Sequence, residues 1–184
     1  MQILNEMLAI PNGRMARDEL EKKVGHLERV GGGYHIFAEL LDVRQNISDA
    51  KEMESLIKNA LRAGNLHSVM CNVMQFPPRE DHVGGASVTH ILEESHVTLH
   101  TWPEEKFAQF DIFTCGDNKE GTNNAFLYVV KILMPDYVVG YEIDRSIYKY
   151  LDKNTGNYKR AAFAEMVTIQ ESNLLLSMQG LLRE

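Results

Sequence analysis

Twelve consecutive residues near the middle of the chain, Glu93 to Glu104, carry a hydroxyl (Ser95), two imidazoles (His96, His100), three carboxylates (Glu93, Glu94, Glu104) and the only tryptophan, Trp102. Together with Cys115, three chemistries are open to this set. Cys115 and His100 could act as nucleophile and base, as in thiol hydrolases. His90, His96, His100 and Cys115 could bind zinc, although they lack the tight paired spacing of zinc motifs. A serine that follows a glutamate at a strained turn can also attack its own preceding carbonyl. This N→O acyl shift, followed by β-elimination, splits the chain and converts the serine into an N-terminal pyruvoyl group. Against all three stands a plain alternative, in which Ser95 is a turn residue, Cys115 a small buried hydrophobe and the histidines satisfied strand residues.

The elements that must position these groups are legible nearby. Val97, Thr98, Leu99 and Thr101 favour extended backbone, and Pro103 stops it. A second β-rich run, Phe107 to Cys115, follows a short polar turn, so the two form a hairpin. If Trp102 pairs with Phe107, antiparallel partners sum to about 209, and Cys115 falls opposite Glu94 or Ser95 to within one residue.

The 184 residues suit one domain with appendages, and 44% hydrophobic with 24% charged residues is ordinary for a soluble globular chain. The formal net charge of −7, with no Lys or Arg run, argues against nucleic acid or an anionic membrane as partner and would draw a cationic small-molecule substrate. Two cysteines, Cys71 and Cys115, give no disulfide framework and suit a reducing cytoplasm. Met1 to Leu20 holds Glu6, Asp18 and Glu19 without a long apolar run, so neither a signal peptide nor a transmembrane helix is expected there.

Asp18 to Val30 has helical spacing (Leu20, Val24, Leu27) and is expected to end at Gly31-Gly32-Gly33, a flexible joint rather than a phosphate loop, since no Gly-Lys-Ser/Thr follows. Strands are expected at Tyr34–Val43, His67–Phe76, Ala86–Leu92 and Tyr137–Ile143, beside the hairpin. One helix should run from a Ser48 or Asp49 cap to Ala63. A second should run from a Thr122 cap to a stop at Pro135. Ala161 to Leu182, with Phe163, Val167, Leu174, Met178 and Leu181, is expected to be helical. The order predicts an α+β fold: a two-layer α/β sandwich with a largely antiparallel sheet and helices on one face. Residues 1–33 form an N-terminal arm and helix, 34–151 the main domain, and 152–184 a C-terminal helical extension.

The central motifs resemble one family. Glu94-Ser95-His96, then Thr98, His100-Thr101-Trp102-Pro103-Glu104, then Asp111 and Phe113-Thr114-Cys115-Gly116 are similar to the short prokaryotic S-adenosylmethionine decarboxylases, from about His35 to about Ile143. The resemblance implies a proenzyme that cleaves itself between Glu94 and Ser95, leaving residues 1–94 as one chain and 95–184 as the other. Ser95 becomes the pyruvoyl group that forms a Schiff base with the substrate amine, the electron-sink role pyridoxal phosphate fills elsewhere. It further implies that Ser87 assists processing by holding the oxyoxazolidine intermediate and that His100 removes the serine Cα proton. Cys115 would reprotonate the product carbon, Glu104 would bind the ribose hydroxyls, Phe76 would stack on adenine, and Glu39 would be an acid near the site. No metal is implied. The product would serve spermidine synthesis in the cytoplasm, and the processed protomers would pair as a homodimer.

This sequence departs from the family pattern in places. Val88 follows Ser87 where glycine is usual, Thr89 and His90 replace apolar residues, and the loop from Pro77 to Val83 is longer. Family members also act on arginine or ornithine, and Glu80 and Asp81 in that loop could meet a cationic side chain. A paralogue that never processes and a Cys–His hydrolase are the remaining alternatives.

Overall fold

The computed structural model describes residues 13–80 and 82–169. In chain order its elements are helix α1 (Gly13–Val24), strand β1 (Glu28–Leu41), helix α2 (Ala50–Ala63), strands β2 (Ser68–Gln75), β3 (Ala86–Leu92) and β4 (Ser95–Trp102), a 3-10 turn (Pro103–Glu105), strand β5 (Phe107–Cys115), helix α3 (Lys119–Leu133), and strands β6 (Tyr137–Leu151) and β7 (Tyr158–Ile169). The strands make one seven-stranded sheet in the order β2-β3-β4-β5-β1-β6-β7, antiparallel at every pairing. Alternation fixes the layering. Val97, Leu99 and Thr101 of β4 are buried against helices, whereas Thr98, His100 and Trp102 point to the other, open face. Ile36, Leu40, Leu99, Phe110 and Ile112 meet Met53, Ile57 and Leu61 of α2 and Phe126, Val129 and Leu133 of α3 in the main core. The expected α+β sandwich with helices on one face is what forms.

Helix α2 runs as its signals predict: the Asp49 carboxylate accepts from the Lys51 and Glu52 amides, and Gly64 closes the last turn. At α3 the cap is Asn118, whose side chain accepts from the Gly121 amide. Thr122, the expected cap, lies inside the helix, where its hydroxyl bonds Thr114 of β5 at 2.6 Å.

Four expectations fail at the two ends of the chain. The first helix stops at Val24, not Val30, and Gly31-Gly32-Gly33 is no joint but part of β1, which begins at Glu28. A β-bulge between Arg29 and Gly31 and a φ of 131° at Gly32 bend the strand there. Strand β6 continues past Ile143 to Leu151 because β7 pairs with it throughout, from Gly140↔Ile169 to Leu151↔Tyr158. The expected C-terminal helix is therefore a strand over Tyr158–Ile169. Phe163 and Val167 are four residues apart, a spacing that puts two residues on one face of a strand as well as of a helix. The rest of that expected helix, residues 170–182, lies outside the described residues. The extensions meet on the helical face, where Leu20 and Val24 of α1 pack against Leu27, Tyr148 and Phe163.

Candidate active site

Strand pairing builds the site from the hairpin outward. Trp102 pairs with Phe107 and stacks on it (centroids 5.0 Å apart), and Ser95 pairs with Thr114. The register is the one expected from Trp102 and Phe107. It brings the backbone N–H of Cys115 to the carbonyl of Glu94, which accepts it at 2.8 Å. The 94–95 peptide thus sits at the β3–β4 turn with its carbonyl already polarised.

Around Ser95 the open face carries a run of hydrogen bonds. The Ser95 hydroxyl lies 3.1 Å from His96 Nδ1, and His96 Nε2 lies 3.2 Å from Asp111 Oδ1. The other Asp111 oxygen is 2.8 Å from His35 Nε2. The Phe113 ring stands beside both imidazoles, 5.6 Å from His35 and 6.1 Å from His96. Burial acts to raise the Asp111 pKa, but the two imidazoles outweigh it and hold the carboxyl below its usual range. A carboxyl so depressed adds stability above the ordinary carboxylate range and loses it as pH falls through the folded-state value. Asp111→Asn is expected to flatten the acid side of a plot of Tm against pH below about pH 4, the ordinary carboxylate range.

A second group forms at the far end of β4. His100 Nδ1 lies 2.9 Å from the Ser87 hydroxyl, and Ser87 pairs with His100 across β3 and β4. Gln109 pairs with His100 and donates from its amide to Glu39 at 3.0 Å, so Glu39 borders this group. A cleft of about 340 Å³ opens beside it, lined by Phe76, Arg79, His82, His100, Trp102 and Glu104. One oxygen of Glu104 is 3.0 Å from His82 Nδ1; the other is buried with no hydrogen-bond partner among the described residues. Such an acceptor is suited to a hydroxyl or amine brought by a ligand.

The predicted residues therefore fall into two clusters. Ser95, Glu94 and Cys115 meet at one end of the hairpin; Ser87, His100, Glu39, Glu104 and Phe76 meet at the other. Five residues of extended chain separate Ser95 from His100, about 17 Å at the rise of a strand. That distance removes the Cys115–His100 pair of a thiol hydrolase within one chain. The four supposed zinc ligands do not converge either. His90 is fully buried on the helical face, bonded to Ser68 (2.7 Å) and Cys71 (3.3 Å). Burial lowers the pKa of His90 and raises that of the Cys71 thiol, so both are held neutral.

Composition and spacing gave His35 and His82 no role, His96 only that of a zinc ligand, and Asp111 only a place in the motif. Alternation places His35 and Glu39 on one face of β1, but only the non-local β1–β5 pairing seats His35 beside Asp111.

Comparison with known proteins agrees with the geometry. A family model described as S-adenosylmethionine decarboxylase matches residues 34–146. The S-adenosylmethionine decarboxylase proenzyme of a Hydrogenobaculum species is 37% identical over 116 residues, covering 62% of this chain and 82% of the relative. That of Pyrobaculum islandicum is 37% identical over 122 residues, covering 66% of this chain and 94% of the relative. The crystal structure of the adenosylmethionine decarboxylase from Aquifex aeolicus superposes with a TM-score of 0.55 at 30% identity, over 60% of this chain and 88% of that one. Among the described residues, no helix is long and apolar enough to cross a membrane. With its matched segment running from within β1 through most of β6, the chain belongs to the S-adenosylmethionine decarboxylase family of carboxy-lyases.

Proposed function

We propose that the chain is a self-processing decarboxylase of S-adenosylmethionine, cut between Glu94 and Ser95 and made for polyamine synthesis in the cytoplasm. The observation that carries this is the Glu94 carbonyl held by the Cys115 amide directly beside the Ser95 hydroxyl. The pyruvoyl group formed from Ser95 would supply the electron sink for loss of CO2. Everything else falls to side chains. Cys115, whose amide holds the Glu94 carbonyl, would return a proton to the product carbon. Glu104 offers an open oxygen to a ribose hydroxyl, and Phe76 and Trp102 offer ring faces to a base.

The cleft favours a nucleoside over arginine or ornithine. Phe76 and Trp102 line it with ring faces that suit a nucleobase, which neither arginine nor ornithine carries. A hydrogen bond already engages His82 with Glu104, which leaves one carboxylate oxygen rather than a free acidic pocket.

Two copies would complete the site. Ser95 and His100 lie on the same strand and cannot meet within one chain. An isologous dimer, with the two open faces together and its axis near Thr98, sets the Ser95 end of one protomer across from the partner's His100 end. The open face suits such a partner, with Phe37 and Phe113 each beside His35, Tyr141 beside Phe37, and Val139 exposed. Within this scheme residues 34–151 are the catalytic unit, and the flanking segments extend it.

An intact-mass spectrum of freshly purified protein tests the proposal. The expected result is two fragments, residues 1–94 and 95–184, the second without a free α-amine. A single uncut species, stable on long incubation, would overturn it in favour of an inactive paralogue.

A further inference from the structure

We propose that His96 is the base that takes the Ser95 hydroxyl proton when the 94–95 amide becomes an ester, with Asp111 and His35 as the residues that position it; this rests on the self-cleavage proposed above. Two imidazoles therefore divide the processing, His96 acting within its own chain and His100 acting later.

Hydrogen-bond direction carries the assignment. An ionised carboxylate only accepts, so the nitrogens facing Asp111, Nε2 of His96 and Nε2 of His35, carry protons. A neutral His96 with its proton on Nε2 has a lone pair on Nδ1, and that lone pair faces the Ser95 hydroxyl at 3.1 Å. The hydroxyl must donate. Among the described residues no other imidazole bonds this oxygen: His35 faces Asp111, His100 faces Ser87, and His90 lies on the other side of the sheet. Phe113 stands between the two rings facing Asp111 and limits their rotation. His35 takes the second Asp111 oxygen, so the carboxylate cannot swing away from His96.

The step balances without any other reagent. The Ser95 Oγ–H proton moves to His96 Nδ1 as Oγ bonds to the Glu94 carbonyl carbon. The carbonyl π pair moves onto its oxygen, which already accepts from the Cys115 amide. The imidazolium so formed lies against the Asp111 carboxylate. When the intermediate collapses, the carbon–nitrogen bond breaks, the nitrogen takes the proton back from Nδ1, and Glu94 is left esterified to Ser95 Oγ. Nothing enters and nothing leaves. The Cα proton is untouched, and its removal is the separate task of His100.

Hydroxylamine, which cleaves the ester but not the amide, reads this step alone. His100→Ala is expected to accumulate the ester, so that hydroxylamine releases residues 1–94 and 95–184. Adding His96→Gly to that background is expected to slow ester formation about 10²- to 10⁴-fold, the usual worth of a general base. Free imidazole should restore it, which a purely structural histidine would not allow. His96→Gln, still able to donate to Asp111 but unable to take a proton, should be as slow as His96→Gly and gain nothing from imidazole. Asp111→Asn should slow ester formation and Asp111→Glu should recover part of it. Ester formation in the double variant at the rate of His100→Ala, or slow formation that imidazole cannot rescue in a protein of unchanged Tm, overturns the role of His96. If wild-type protein is never cut and His100→Ala holds no hydroxylamine-sensitive bond, self-cleavage itself fails and takes this proposal with it.

Discussion

Ser95→Ala and His100→Ala chains expressed together are expected to yield cleaved product, although neither variant does so alone. The basis is the separation of the two clusters along β4. Ser95 and Cys115 lie at one end of the hairpin, and Ser87, His100 and Glu104 at the other. In the proposed isologous dimer, a mixed pair would hold one intact site, built from Ser95 of the His100→Ala chain and His100 of the Ser95→Ala chain. With equal expression and isologous pairing, about half the dimers are mixed and about a quarter of all chains should be cut. Only the His100→Ala chain is ever cut, and a mass tag on either chain shows which. If wild-type protein cleaves and the mixture does not, the site is assembled within one chain and β4 must bend far from the geometry described here.

The second large effect is expected at Gly33, which lies between Cys115 and Arg145 on adjacent strands. A Cβ there would lie 2.3 Å from the Thr114 carbonyl oxygen and 2.7 Å from the Phe113 ring. The ring could turn, but the carbonyl is backbone and belongs to the β1–β5 ladder. Gly33→Ala must therefore push β1 away from β5 beside the Cys115 amide. A cost of about 1–3 kcal/mol, at the upper end for a backbone clash, is the expectation. For a domain of this size that lowers Tm by roughly 2–4 °C per kcal/mol. Because Phe113 also braces His35 and His96, ester formation should slow more than the Tm loss explains. A substitution that leaves both unchanged would show that the glycine is not needed for the approach.

How much of this was legible in the sequence depends on range. The hairpin register followed from one local pairing, Trp102 with Phe107, and it correctly carried Cys115 to Glu94. Helix α2 was legible because Asp49, a buried stripe and Gly64 are all local signals. The glycine triplet was not, since a run of glycines at a helix end looks the same whether it frees the chain or lets three strands approach. Strand β7 was missed because apolar residues four apart suit a helix and a strand alike. At the site, motif spacing brought out Ser95, His100 and Cys115 as a set, but spacing along a strand is also distance. The five residues from Ser95 to His100 that mark the motif are what keep the two apart. His35 and Asp111 meet only through the β1–β5 pairing, a contact between distant residues that no local pattern announces.

The strand order has a consequence for the cut molecule. A break between Glu94 and Ser95 would leave β1, β2 and β3 on one fragment and β4 to β7 on the other. In the sheet these do not lie side by side as two blocks. Strand β1 of the first fragment is wedged between β5 and β6 of the second, and β3 is laddered to β4. The pieces are interleaved, so the cut frees an end without freeing a part. Unfolding would be another matter. The uncut chain folds as one molecule, whereas the cut pieces would have to find each other and thread β1 back into its slot, a reaction second order in protein. Maturation would thus act as a one-way gate on refolding, and thermal unfolding of the cut form should be irreversible and dependent on concentration where the uncut Ser95→Ala chain refolds.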